Sequence, residues 1–142
     1  MNDWYEDDKL HSAAEEGDLD EVKKLIEIGF AVNDFDEGMS FTPLHYAVEN
    51  EHYEVAKYLL EQGADINAHE EDKIGETPLG QVSPNCSYKM AKFLVENGAN
   101  PCIIGWMGLT SLDRAKERKK EEGKMVYELL LKTAISKFNH RA

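Results

Sequence analysis

A six-residue pattern recurs along this chain of 142 residues, and its fixed period restricts the fold to stacked copies of one unit. Thr42-Pro43-Leu44-His45-Tyr46-Ala47 returns as Thr77-Pro78-Leu79-Gly80-Gln81-Val82 and as Thr110-Ser111-Leu112-Asp113-Arg114-Ala115. A truncated copy, Leu10-His11-Ser12-Ala13-Ala14, opens the series. Successive threonines are 35 and 33 residues apart, and Leu10 precedes Leu44 by 34. A second block follows each first one: 22–29, 55–63, 90–98 and a looser copy over 125–131. In the first three copies the step from signature leucine to closing glycine is constant, running 10 to 29, 44 to 63 and 79 to 98.

Each position in the pattern has a physical task. Thr42, Thr77 and Thr110 suit an N-cap, where a hydroxyl accepts from a free backbone N–H. Pro43 and Pro78 then stand at the first helical position, where a missing N–H costs nothing. Leu44, Ala47 and Val48 form one apolar stripe at helical spacing, and the small Ala47 lets two helices approach. A second helix presents Val55, Tyr58 and Leu59, and Gly29, Gly63 and Gly98 supply the left-handed residue that ends it. One such helix pair cannot bury its apolar face alone, so the units must stack, with polar outer faces on the end units. The first unit is polar at Ser12, Glu15, Glu16, Asp18, Asp20 and Glu21, and the last carries the charged run 116–122. Both ends read as caps, as expected of a whole protein.

The period and the Thr-Pro-Leu-His-x-Ala signature resemble those of the ankyrin-repeat family, over roughly residues 8–134. The resemblance implies an all-α ankyrin-repeat solenoid of about four stacked helix-turn-helix units with hairpin finger loops. The repeats would span about 8–33, 38–67, 73–100 and 106–134, in a single domain over 1–142 with a short C-terminal tail at 135–142. His11 and His45 fall at the signature position, where family histidines bond locally to hold the turn.

Several departures from the family pattern stand out. The step from the post-helix Asn to the next Thr is nine residues at Asn33 and ten at Asn67 and Asn100, against about eight in the family, so the fingers should be one or two residues long. Counting back three from each threonine gives Met39, Ile74 and Met107, an apolar residue at every finger tip. Trp106 stands beside Met107, with Lys73 and Gly38 at the matching positions. Such a row reads as an interaction stripe; the other arrangement has the fingers folded back and these side chains packed on one another. In the third unit Gly80 stands where the signature histidine would, which is either an opening in the concave face or drift, and Ser83-Pro84 should end that helix early. The stretch from Lys116 to Gly123 inserts two residues and reads as a solvated, extended helix rather than a basic docking site.

Charge is unevenly spread. Residues 1–76 hold 22 Asp and Glu against 5 Lys, a net −17, whereas 77–142 carry a net +5, for −12 overall. Such an acidic front repels phosphate backbones and anionic lipid and steers a basic partner, although acidity also serves solubility. No run of apolar residues is long enough to span a bilayer, and the acidic residues 1–8 are unlike a signal peptide, so a cytoplasmic protein is expected. Cys86 and Cys102 lack disulfide-framework or metal spacing. No catalytic or phosphate-cradling motif is present, and the His69-Glu70-Glu71-Asp72 run lacks the support that a metal site needs. The reading is therefore a non-catalytic protein-recognition module with no cofactor and no metal, a monomer when free. It would bind a protein of basic surface and neither nucleic acid nor membrane. The candidate contact residues are Glu15, Glu16, Met39, Phe41, Glu49, Asn50, Lys73, Ile74, Glu76, Trp106 and Met107. The chain further resembles the small, stand-alone, acidic ankyrin proteins of bacteria, some of which are immunity or inhibitor proteins for a cognate toxin. That resemblance implies a toxin or effector as the target, with a regulatory adaptor or scaffold as the alternative.

Overall fold

The computed structural model describes residues 8–73 and 75–140. Among these, every regular element is helical. Four helix pairs follow one another: α1 Lys9–Glu16 with α2 Leu19–Glu27, α3 Pro43–Glu49 with α4 Tyr53–Glu61, α5 Pro78–Val82 with α6 Tyr88–Glu96, and α7 Ser111–Lys116 with α8 Glu121–Phe138. Single 3₁₀ turns lie at Glu71–Lys73 and Trp106–Gly108. The first helices pack in series, α1 on α3, α3 on α5 and α5 on α7, and the second helices lie behind them.

The repeated positions build the core as columns. Leu10, Leu44, Leu79 and Leu112 are buried at one level, and Leu25, Leu59, Leu94 and Leu130 at another. Burying each such leucine contributes about 2 kcal/mol, and the stack draws its stability from contacts between units as well as within them. Two of the three expected threonine caps are present: Thr77 Oγ1 accepts the Gly80 N–H at 2.9 Å, and Thr110 and Asp113 form a reciprocal pair at 3.1 and 2.9 Å, whereas the Thr42 hydroxyl pairs with His45 Nδ1 at 2.9 Å. Gly29, Gly63 and Gly98 all adopt positive φ. Asparagine side chains tie the loops of successive units together. Asn33 Nδ2 donates to the Gly63 carbonyl (3.0 Å) while its Oδ1 accepts the Asp65 N–H (2.7 Å), and Asn67 repeats this with Gly98 and Asn100.

The last two units differ from the sequence-based expectation. Helix α5 does stop early, at Val82 just before Ser83-Pro84. In the fourth unit α7 ends at Lys116 and α8 begins at Glu121, so the charged stretch is a turn and not an extended helix. Helix α8 buries Val126 and Leu130 among others, while Met125 is 45% exposed, one residue out of the expected register. Helix α8 runs on to Phe138, through the residues assigned to a tail.

Candidate functional site

The three loops between units project as fingers, and each is fixed by a polar group at its base. In the first, Asp36 is buried and its Oδ1 accepts the N–H groups of Met39 (3.0 Å) and Phe41 (3.1 Å), while its Oδ2 accepts the Tyr46 hydroxyl. Burial alone would raise the Asp36 pKa; the Tyr46 hydroxyl and the two backbone donors outweigh it and hold the carboxyl below its usual range. The second finger is held by His45, whose Nδ1 accepts the Thr42 N–H (2.9 Å) and whose Nε2 therefore carries the proton and donates to the Glu76 carbonyl (2.6 Å). His45 is fully buried, and burial pushes its pKa down to about 4, so it is neutral at ordinary pH.

The third finger has a different anchor, the Glu76 side chain. Its Oε1 accepts the Trp106 N–H and lies 3.0 Å from Arg114 Nη2, which also donates to the Trp106 carbonyl at 2.7 Å. Both ends of the Trp106 peptide backbone are thus clamped by one ion pair, whose two side chains are only 15–16% exposed. The carboxylate fits because two glycines leave room for it. A Cβ on Gly80 would stand 2.3 Å from Glu76 Oε2, and one on Gly105 would stand 2.3 Å from Oε1. Gly80 is therefore no empty opening: with no side chain of its own at the signature position, it leaves the space that the Glu76 carboxylate fills.

Beyond that clamp the chain turns sharply at Met107-Gly108. Both residues have positive φ, 62° and 70°, and the Leu109 N–H closes the turn on the Trp106 carbonyl at 3.3 Å. That is the type I′ pattern, which favours Asn-Gly and costs a methionine conformational energy. The strained residue is also exposed. Met39 is 60% exposed, Trp106 57% and Met107 69%, so the tips of the first and third fingers face outward.

Where the fingers converge, Gly38, Met39, Phe41, Gly75, Gly80 and Trp106, with Gln81 and the Glu76–Arg114 pair, line a slot of about 440 Å³. Phe41 is its floor rather than a tip: the ring is 8% exposed and stacked on His45 at 4.7 Å. Glu76 likewise is no free contact residue, since its carboxylate is engaged inside the protein. The structure thus brings Met39, Phe41, Glu76 and Trp106 together. Glu15, Glu16, Glu49 and Asn50 are exposed at the C-terminal ends of α1 and α3, about one helix length or 10 Å from the fingers. Ile74 and the side chain of Lys73 lie outside the described residues. Sequence reasoning missed Asp36, Gln81 and Arg114. The usable signal was the pairing of two side-chain-free positions, Gly80 and Gly105, with a buried charge that must then be matched.

Cys86 is buried against the side chain of Arg118, and burial pushes its thiol up to about 11, leaving it an unreactive packing group. Among the described residues no helix is long and apolar enough to cross a membrane.

Comparison with known proteins bears on the front half of the chain. Residues 2–70 match the family model for ankyrin repeats in three copies. The chain is 45% identical over 58 residues to ankyrin repeat domain-containing protein 40 of Mus musculus, covering 41% of this chain and 16% of that protein. It is 41% identical over 61 residues to the palmitoyltransferase AKR1 of Eremothecium gossypii, covering 42% and 8%. With alpha-latrocrustotoxin-Lt1a of Latrodectus tredecimguttatus it shares 44% over 62 residues, covering 44% and 4%. The chain therefore spans less than a fifth of these relatives, and their names describe unlike proteins, so what is shared is the repeat and not one activity. Residues 71–138 continue the same helix pairs beyond the matched stretch. Residues 2–70 are thus built of ankyrin repeats, and the stacked helix pairs carry the same arrangement on to Phe138.

Proposed function

We propose that the protein is a non-catalytic recognition module that grips a partner protein with its three finger tips and the row of first helices beside them. Ankyrin repeats generally serve as protein–protein interaction modules. The observation that carries the reading here is the clamp on Trp106: a largely enclosed ion pair holds the backbone of an exposed tryptophan beside a strained, exposed methionine. Folding stability alone favours neither exposed apolar tips nor a left-handed methionine. Both are expected where a rigid scaffold presents contact residues, and a tryptophan is a frequent anchor of interface energy. Exposed carboxylates at Glu15, Glu16, Glu37 and Glu49 favour a partner of basic surface and disfavour nucleic acid and anionic membrane.

The test is capture of partners from lysate of the source cells at low and at moderate salt, followed by identification. A basic partner whose retention weakens with salt supports this reading, since exposed charge pairs are screened over about 8–10 Å. Retention of nothing at either salt contradicts it. The captured protein also separates the finer readings, a toxin or effector domain favouring an immunity role and a regulatory client an adaptor.

A further inference from the structure

Resting on the recognition reading above, we propose that the slot over Gly80 is an anchor pocket for one large apolar side chain, aromatic by preference, from a partner segment flanked by lysine or arginine. The slot is bounded by Phe41 below and by Met39 and Trp106 at the sides, with Gly38 leaving the first finger's edge of it free of any side chain. Its volume, about 440 Å³, falls within the range of binding pockets for small groups. Glu76 Oε1 and Arg114 Nη2 are taken up by each other and by the Trp106 backbone, and although Arg114 Nε and Gln81 Oε1 have no hydrogen-bond partner, both atoms are closed off from the surface, so what the slot presents to an occupant is mainly apolar. An aromatic occupant would instead stack on the Trp106 ring or meet its edge.

Charge selects what surrounds that anchor. Glu37 follows the buried Asp36 and precedes Gly38 on the slot's rim, Asp72 is exposed on the second finger, and Glu49 is exposed at the far end of α3. Lys116 at the end of α7 is the exposed cation on the first-helix row nearest to Arg114 in sequence. An exposed carboxylate, Glu37, thus stands next to the slot-lining Gly38, and a basic residue flanking the anchor would meet it there. Glu76 is a positioning residue here. It touches no partner and sets where the Trp106 wall stands.

The test uses the full chain and four synthetic peptides: Gly-Lys-Arg-Phe-Lys-Gly with blocked ends, the same peptide with central Leu or central Ala, and the Phe peptide with its basic residues replaced by Ser. The reporter is the Trp106 indole N–H resonance, assigned with Trp106→Phe. The expected result is a saturable shift with the Phe peptide, an intermediate affinity for Leu, and weakening of at least about tenfold for Ala. Loss of the basic flanks weakens binding and removes its salt dependence. Gly38→Phe fills the slot from the first finger, where an added Cβ meets nothing within 4 Å, and should abolish the shift without changing the melting temperature. Glu76→Gln keeps a group of the same shape but loses the ion pair, and should move the Trp106 signal in the free protein. Equal affinity for the Phe and Ala peptides, or binding undisturbed by Gly38→Phe, overturns the pocket and leaves the recognition reading intact. No shift with any peptide also overturns the pocket, whereas failure of the recognition reading is seen separately, as absence of capture from lysate by the unaltered protein.

Discussion

Met107 holds a left-handed backbone at the first central position of a type I′ turn, where asparagine fits better. Met107→Asn should therefore stabilise the protein by up to about 1 kcal/mol, raising the melting temperature by a few degrees, while weakening partner capture. A lower melting temperature would mean that the methionine side chain packs where it is drawn as exposed. Glu76 shows why a residue's role can escape its sequence position. Its carbonyl is held by the His45 imidazole from the unit before, and its carboxylate holds Arg114 and Trp106 from the unit after. Counting residues placed it beside a finger tip; only the stacking of three units reveals it as the joint between them.

At the scale of the element, His45 makes a prediction that depends on pH. An unperturbed histidine titrates near 6.5, and burial holds this one at about 4. Between those values the unfolded chain takes up a proton that the folded chain does not. Stability is therefore full above about pH 6.5 and falls as the pH drops towards 4, by about 3 kcal/mol from this group. Asp36, whose pKa is lowered in the fold, adds a loss of the same sign as the pH falls through the carboxylate range. Urea unfolding between pH 7.5 and 4.5 checks this, with His45→Gln less stable at pH 7.5 but shallower in slope. Equal slopes for both proteins would contradict the assignment. Gly63 gives a cleaner conformational test, since its φ is +97° and a Cβ there meets nothing within 4 Å. Gly63→Val should cost about 1 kcal/mol or more through backbone strain alone, read as a lower melting temperature; an unchanged one would place the end of α4 elsewhere.

The helix pairs were legible for a reason that also explains what was not. Thr-Pro-Leu, the small residue after it and the closing glycine act within one turn of helix, so their meaning is local and survives in the sequence. Helix α5 ending before Ser83-Pro84 is of this kind. The fourth unit was misread because its charged stretch looks the same on a solvated helix as in a turn, and the burial that fixes the register at Val126 is set by α6 and α7. Met39, Trp106 and Met107 were found at the tips because the period counts them there. Phe41 was named as a contact residue, but the period does not record that its ring turns inward onto His45 and floors the slot.

For the whole molecule, the account divides labour between a buried repeat core that sets stability and a finger edge that sets recognition. These two should then separate experimentally. An acidic front with net −17 over residues 1–76 would bring a basic partner in, and the tips would hold it. The most direct measurement is a paired one on Met39→Ser, Trp106→Ser and Met107→Ser combined, comparing the melting temperature with retention of a captured partner at moderate salt. The account predicts a melting temperature within a degree or two of the unaltered protein and retention lost. A sharply lower melting temperature, or retention that is unchanged, would contradict it.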